Sequence, residues 1–478
     1  MKAEKLAGLQ PERIWAHFEA LCAIPHGSFH TDAICEYLMG FALEHCPRCI
    51  RDEANNLIFF KPATPGYEDH APVILQAHMD MVLQKDEGVC IDMVKEPIDV
   101  TYDSEFVYAK GTTLGADDGI GIAMILALLE DDTIPHPPLE LVITSEEEVG
   151  LLGANAIDLS QLRGKRMLNL DTHNENVINA GCAGGARVAL ELPVEREMVT
   201  GSRVRIVLEG LKGGHSGNVI GNTHANANKA MAELLIQLCS RMPLQLESLS
   251  GGVAGNVIPG SAQAVILCAD AQTVNEMANA YAAYLRKELD EPTAAVMVSL
   301  LTEETVSVLT QKSTQRVLAL LEALPNGVQA WSPDFQGLPL TSLNLGVVTL
   351  KDTLQLQTNL RSGVNEKRNA LQAQLRALAE SYGCSYRESG IYSAWEYRKE
   401  SPLRDTVVGL YRERFQREPI VRVIHAGLEC GVLSEKIADL DCLSMGPTAY
   451  DIHTTRERAD IASTENGWYF LKEILAAL

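Results

Sequence analysis

The sequence predicts an α/β fold interrupted by an inserted α+β domain. Three observations predict it. Up to about residue 180, short apolar strands alternate with longer helical segments, the mark of a largely parallel sheet. After GCAGGARV, residues 181–188, strands begin to come in pairs between helices. From residue 401 onward the alternation returns. The expected division is a split catalytic domain, residues 1–186 and 398–478, holding an inserted domain at 187–397.

Residues 12–24 and 31–46 carry apolar residues at helical spacing and are parted by the loop IPHGSFH. VILQAHMDMV, residues 73–82, reads as a buried strand, and the almost wholly apolar GIGIAMILALLE, residues 119–130, as a buried helix. LELVIT at 139–144 and RMLNL at 166–170 read as further strands. Within the insertion the pattern predicts strand 203–208, helix 223–240, strands 252–258 and 263–269, helix 272–289 and strand 294–301. Helix 313–323, strands 343–350 and 353–360, helix 366–382 and strand 384–389 follow. That order spells one or two βαββαβ units.

Acidic residues number 63 against 40 basic ones, a formal charge of −23. This argues against binding to nucleic acid or to an anionic membrane surface, because phosphates are repelled. With 46% hydrophobic and 22% charged residues the chain is neither disordered nor fibrous. The opening MKAEKLAGLQ lacks the apolar core of a secretory leader, and no stretch approaches the ~20 apolar residues of a membrane span. Eleven scattered cysteines, an odd number, fit reduced thiols and a cytoplasmic setting. Cys46 and Cys49 form a single C-x-x-C without a second pair or a nearby histidine, so they are expected to be incidental thiols.

Five segments carry the vocabulary of metal ligation. His78 and Asp80 stand at i and i+2 near a strand's end and face one side. Asp117 and Asp118, flanked by glycines, precede the buried helix; they suit helix capping as well as metal bridging. Ser145-Glu146-Glu147-Glu148 follows LELVIT directly, and three adjacent acids call for a cation or full solvation. Asp171 closes RMLNL, and His453 follows Gly446-Pro447-Thr448 in the returning α/β region. Four of the five lie at or just beyond the C-terminal ends of predicted strands, where α/β sheets build their sites. Imidazole with carboxylate and no thiolate suits Zn²⁺, Mn²⁺ or Co²⁺, and one bridging carboxylate with ligands on either side makes a two-metal site.

HMD, GTTLGADDGIG, SEEEVG, NLD and the late His453 resemble, in order over nearly the whole chain, the dinuclear zinc metallopeptidases of the aminoacylase and carboxypeptidase G type. CAGGARV, LKGGHSG, GNVIPG and IHAGLECGVL resemble its bacterial dipeptidase subgroup. The resemblance implies a zinc-aminopeptidase-like catalytic domain with a mostly parallel central sheet and a ferredoxin-like lid, single or doubled. It implies hydrolysis of unblocked dipeptides, Xaa-His among them, with a related amidohydrolase of N-acyl amino acids as the alternative. Two divalent ions, Zn²⁺ first and Mn²⁺ or Co²⁺ as alternatives, would be held by His78, Asp117, Glu148, Asp171 and His453, with Asp117 bridging and the peptide after it cis. Asp80 is implied to steer His78, and Glu147 to act as general base. His215 in GGHSG is implied to meet the oxyanion, and Asn256 and Arg361 to bind substrate. His425 and Glu429 are expected to line the substrate pocket, and hinges to lie near residues 183–187 and 395–402. The implied partners are a dipeptide and a second copy through the lid, without nucleic acid or membrane.

Overall fold

A computed structural model describes residues 4–222 and 225–478. Residues 1–3 of the polar opening and residues 223–224, the start of predicted helix 223–240, lie outside the described residues. The chain divides into two compact units. The first comprises residues 1–182, 397–424 and 428–478; the second comprises residues 183–396 and 425–427.

The first unit is built on an eight-stranded mixed sheet in the order Arg48–Arg51, Leu57–Lys61, Leu139–Thr144, Val73–His78, Arg166–Asn169, Asp441–Ser444, Val177–Cys182, Ile420–Ile424. Its central strands Leu139–Thr144, Val73–His78, Arg166–Asn169 and Asp441–Ser444 run parallel, so their C-terminal ends share one edge. Both Val73–His78 and Leu139–Thr144 are buried along their whole length, which explains why they read as unbroken apolar runs rather than alternating ones. The segment Ala116–Leu129 is buried at every position, as its all-round apolar character requires, although Asp117 and Asp118 at its start have non-helical backbone. The predicted strand 73–82 stops at His78, where the chain turns out of the sheet.

The second unit is a nine-stranded antiparallel sheet. One half runs Ala295–Leu300, Arg203–Glu209, Ala262–Cys268, Leu244–Gly251; the other runs Pro339–Leu350, Thr353–Ser362, Gly184–Pro193, Ser385–Tyr392, with Gly327–Trp331 added beside Pro339–Leu350. In chain order each half reads 4-1-3-2, the order of a ferredoxin-like βαββαβ unit. The insertion is therefore doubled, with the first half, residues 203–300, threaded between the first strand, Gly184–Pro193, and the first helix, Gln311–Ala323, of the other half. The halves join where Leu244–Gly251 pairs with Pro339–Leu350. Polar side chains start three of its helices: Asn226 accepts from Asn228 and Lys229 N–H, Asp270 from Thr273, and Thr310 from Ser313. The predicted strand 252–258 does not form as such: the paired strand is Leu244–Gly251, and only Val257–Ile258 of the predicted stretch is extended and paired. No helix among the described residues is long and apolar enough to cross a membrane.

Candidate metal centre

The parallel edge of the first unit gathers the acidic and histidine segments. His78 ends its strand with Nδ1 3.0 Å from the carbonyl oxygen of Asp80. A carbonyl only accepts, so Nδ1 carries the proton and Nε2 turns toward Asp117 Oδ1 at 2.9 Å. The Asp80 carboxylate stands farther from the ring, 3.6 Å from Nδ1. It accepts instead from Ser28 Oγ at 2.7 Å, Glu147 N–H at 2.8 Å and Glu148 N–H at 3.3 Å. Asp80 thus orients His78 through its backbone and fixes the acid loop through its side chain.

Asp117 is held by a cradle. Glu457, buried, accepts from the N–H groups of Leu114, Gly115, Ala116 and Asp117 at 2.9, 3.2, 2.8 and 3.4 Å. Gly115 has φ +77°, and a Cβ there would lie 2.9 Å from Met81 Sδ, so both conformation and space select glycine. The Asp117–Asp118 peptide is cis. The two oxygens of Asp117 diverge: Oδ1 faces His78 and Oδ2 lies 3.0 Å from His453 Nε2. His453 also lies 2.9 Å from Glu148 Oε1, yet that buried oxygen has no aligned hydrogen bond.

Donor atoms converge in three overlapping groups: His78 with Asp117 and Asp171, Asp117 with Glu148 and His453, and His78 with Glu147 and Glu148. All five proposed ligands are therefore in the first two groups, and Asp117 is common to both. Glu146 departs from the cluster; its carboxylate accepts from Phe29 N–H at 2.6 Å and Thr31 Oγ1 at 3.2 Å. The Cys46 and Cys49 thiols take no part in these groups.

The carboxylates here have no lysine or arginine partner among the described residues; their cationic neighbours are histidines. Burial opposes charge on His78 and His173, but Asp117 and Asp171, and for His78 the nearby Asp80 carboxylate as well, outweigh it and push both rings well up. The hydrogen bond to Asp117 and the close Glu148 carboxylate lift His453 to about 10. Burial would raise Asp117, and the charge of His173 with bonds from His173, His453 and His78 holds it well below the usual carboxylate range. The cluster thus demands positive charge. Divalent ions satisfy that demand with the same donors, and the unaligned Glu148–His453 contact is what two ligands of one ion look like. The residues fit a dinuclear centre. Burial, reinforced by Asp171, Glu429 and Glu148, pushes the Glu147 carboxyl well above its ordinary value against the opposing pull of His78.

In the second unit, His215 pairs with Val257 in a two-residue strand, and Ser216 N–H donates to the Asn256 carbonyl at 2.9 Å. Arg361 is buried; Nη1 donates to Tyr392 at 3.0 Å while Nε is buried without a partner. Burial and then the charge of Arg361 lower both His215 and His425, the latter to about 3. His425 Nε2 lies 2.7 Å from Ser342 Oγ. In the first unit Glu429 is fully enclosed and bonded to Gln76 and Thr144 at 2.5 and 2.7 Å, so it underlies the acid loop rather than lining an open pocket.

Two residues of the site fall outside the sequence expectation. Nothing in the spacing of Glu457 foretells four backbone donors. His173 does carry a signal, because Asp171-Thr172-His173 is the His78-Met79-Asp80 pattern in reverse order.

Residues 74–477 match the model of peptidase family M20/M25/M40. The chain is 36% identical over 478 residues to cytosol non-specific dipeptidase of Escherichia coli, with 98% of each chain covered. It superposes on the crystal structure of aminoacylhistidine dipeptidase from Vibrio alginolyticus with a TM-score of 0.93 at 34% identity, covering 100% of this chain and 98% of the other. Aminopeptidase PepT of Bacillus cereus, at 16% identity and a TM-score of 0.57 over 98% of both chains, shares the fold. The chain belongs to peptidase family M20/M25/M40.

Proposed function

We propose that the protein is a dinuclear metallodipeptidase that hydrolyses unblocked dipeptides, Xaa-His dipeptides among them. One observation carries the reading: Asp117 is common to two separate three-residue donor groups on one sheet edge. In this reading His78, Asp117 and Asp171 hold one divalent ion and Asp117, Glu148 and His453 the other, with Zn²⁺ the first choice. The ions, when bound, would polarise the scissile carbonyl and acidify a water. Glu147 takes the water's proton at its carboxylate and hands it to the departing amine, a task suited to a carboxyl raised by burial. His215, held with a lowered pKa, donates a hydrogen bond to the oxyanion as a neutral ring. Asn256 assists in holding the substrate, and the partnerless Nε of Arg361 offers a donor to the α-carboxylate.

No disulfide joins the cysteines among the described residues, consistent with a cytoplasmic setting. A second copy docking on the inserted domain also belongs to the reading: its outer strand Ala295–Leu300 has one strand neighbour and exposes Met297 and Leu300. Light scattering in solution distinguishes a dimer from a monomer.

The test is hydrolysis of Ala-His, β-Ala-His, Gly-Gly, an N-acetyl amino acid and a tripeptide, after chelation and after return of Zn²⁺, Mn²⁺ or Co²⁺. Metal-restored cleavage of free dipeptides is expected, with kcat reduced about 10²–10⁴-fold in Glu147→Gln. Cleavage of the N-acetyl compound alone would replace the proposal with an amidohydrolase, and no turnover with any metal would end it.

A further inference from the structure

His173 lies outside the five-ligand set, yet its Nε2 stands 3.1 Å from Asp171 Oδ1 and 3.2 Å from Asp117 Oδ1. Its side chain is only 16% exposed. The intervening residue explains the placement. Thr172 Oγ1 is tied to Ser444 Oγ at 2.6 Å and accepts from Asn179 Nδ2 at 2.8 Å, which pins the turn after strand Arg166–Asn169. The side chains on either side of Thr172 both reach Asp117's neighbourhood. The ring is bonded to Asp171, and the same nitrogen also lies against Asp117. Asp117 Oδ1 therefore meets two imidazole nitrogens, His78 Nε2 at 2.9 Å and His173 Nε2 at 3.2 Å. Ligands about 2.0–2.2 Å from one ion stand roughly 3–4 Å apart; the His173–Asp171, His173–Asp117 and His78–Asp117 contacts are 3.1, 3.2 and 2.9 Å, and His78 Nε2 lies 4.0 Å from Asp171 Oδ1.

We propose that His173 is a fourth protein donor, through Nε2, to the ion held by His78, Asp117 and Asp171. The inference rests on the dinuclear reading above. It gives this position two imidazoles and two carboxylates, a donor set richer in nitrogen than that of the Glu148–His453 position. The prediction is asymmetric: His173 strengthens binding of one ion and leaves the other alone.

Two measurements test it on the full chain. The first is chelator competition with Zn²⁺, resolving both affinities in the parent, His173→Ala and His173→Gln. Both variants should bind one ion at least about 10-fold more weakly and the other unchanged. The second is proton NMR of the Co²⁺-loaded parent, in which each coordinated imidazole with a sheltered N–H gives an exchangeable, hyperfine-shifted resonance. The parent should show one such resonance more than His173→Gln. Identical resonances in the two proteins overturn ligation by His173 even where affinity falls, and unchanged affinity of both ions overturns it outright. A parent that binds fewer than two ions overturns the dinuclear reading itself, and the inference with it.

Discussion

Glu429 has one carboxylate oxygen bonded to Gln76 and Thr144 and the other buried without a partner. Burial lifts its pKa from 4.5 to about 8, against an opposing pull from His78. Between those values the folded protein keeps a proton that the unfolded chain has released. The stabilisation is complete below the unfolded pKa and is lost as pH rises toward the folded one, with a slope of at most about 1.4 kcal/mol per pH unit. In metal-free protein, urea denaturation should therefore report lower stability at about pH 8 than at about pH 5.5. Glu429→Gln removes the titrating group and should flatten that part of the difference. Equal pH slopes in parent and variant would place the burden on other groups. The same buried, acid-rich surroundings raise Glu147, so one environment both stores a structural proton and tunes the proposed base.

At the scale of elements, strand ends were legible and strand starts were not. His78, Glu147, Glu148 and Asp171 could be found because each follows an apolar run whose C-terminus must lie on the sheet edge. Strand Gly184–Pro193 went unread because it opens in a glycine-rich stretch, Cys182-Ala183-Gly184-Gly185-Ala186, that looks like a boundary. Its pairing with Thr353–Ser362 and Ser385–Tyr392 is long-range, which no local pattern encodes. Strand Leu244–Gly251 was displaced for a related reason: its register shifts between Leu246 and Ser248, so a period-two reading loses phase. The junction of the two ferredoxin-like halves adds a further constraint. A Cβ at Gly346 would lie 2.4 Å from the Ala254 carbonyl oxygen and 2.5 Å from Gly255 Cα, beside the register shift between Leu345 and Val347. Those obstacles are backbone and cannot swing aside. Gly346→Ala should cost about 1–3 kcal/mol by chemical denaturation. A neutral result would mean that the junction yields more readily than its packing implies.

Each unit of the molecule has its own hydrophobic core. One core gathers Trp15, Phe18, Leu75, Ile125 and Leu471; the other gathers Ile206, Leu235, Ile266, Leu321 and Leu356. The five proposed ligands, His173 and Glu457 all belong to the first unit. Metal binding to that unit's folded form, and not to its unfolded form, stabilises it by mass action, about 2.7 kcal/mol per ion at a hundredfold excess over Kd. Around the melting temperature a domain of 150–250 residues moves roughly 2–4 °C per kcal/mol. Calorimetry with and without a chelator should therefore show one transition that falls by roughly 5–10 °C for each ion lost and another that stays in place. Limited proteolysis during the scan assigns them: cleavage within residues 1–182 should accompany the mobile transition, and cleavage within 183–396 the fixed one. A single transition that shifts as a whole would show that the two cores unfold as one cooperative block, and the metal centre would then stabilise the inserted domain as well as the unit that holds its ligands.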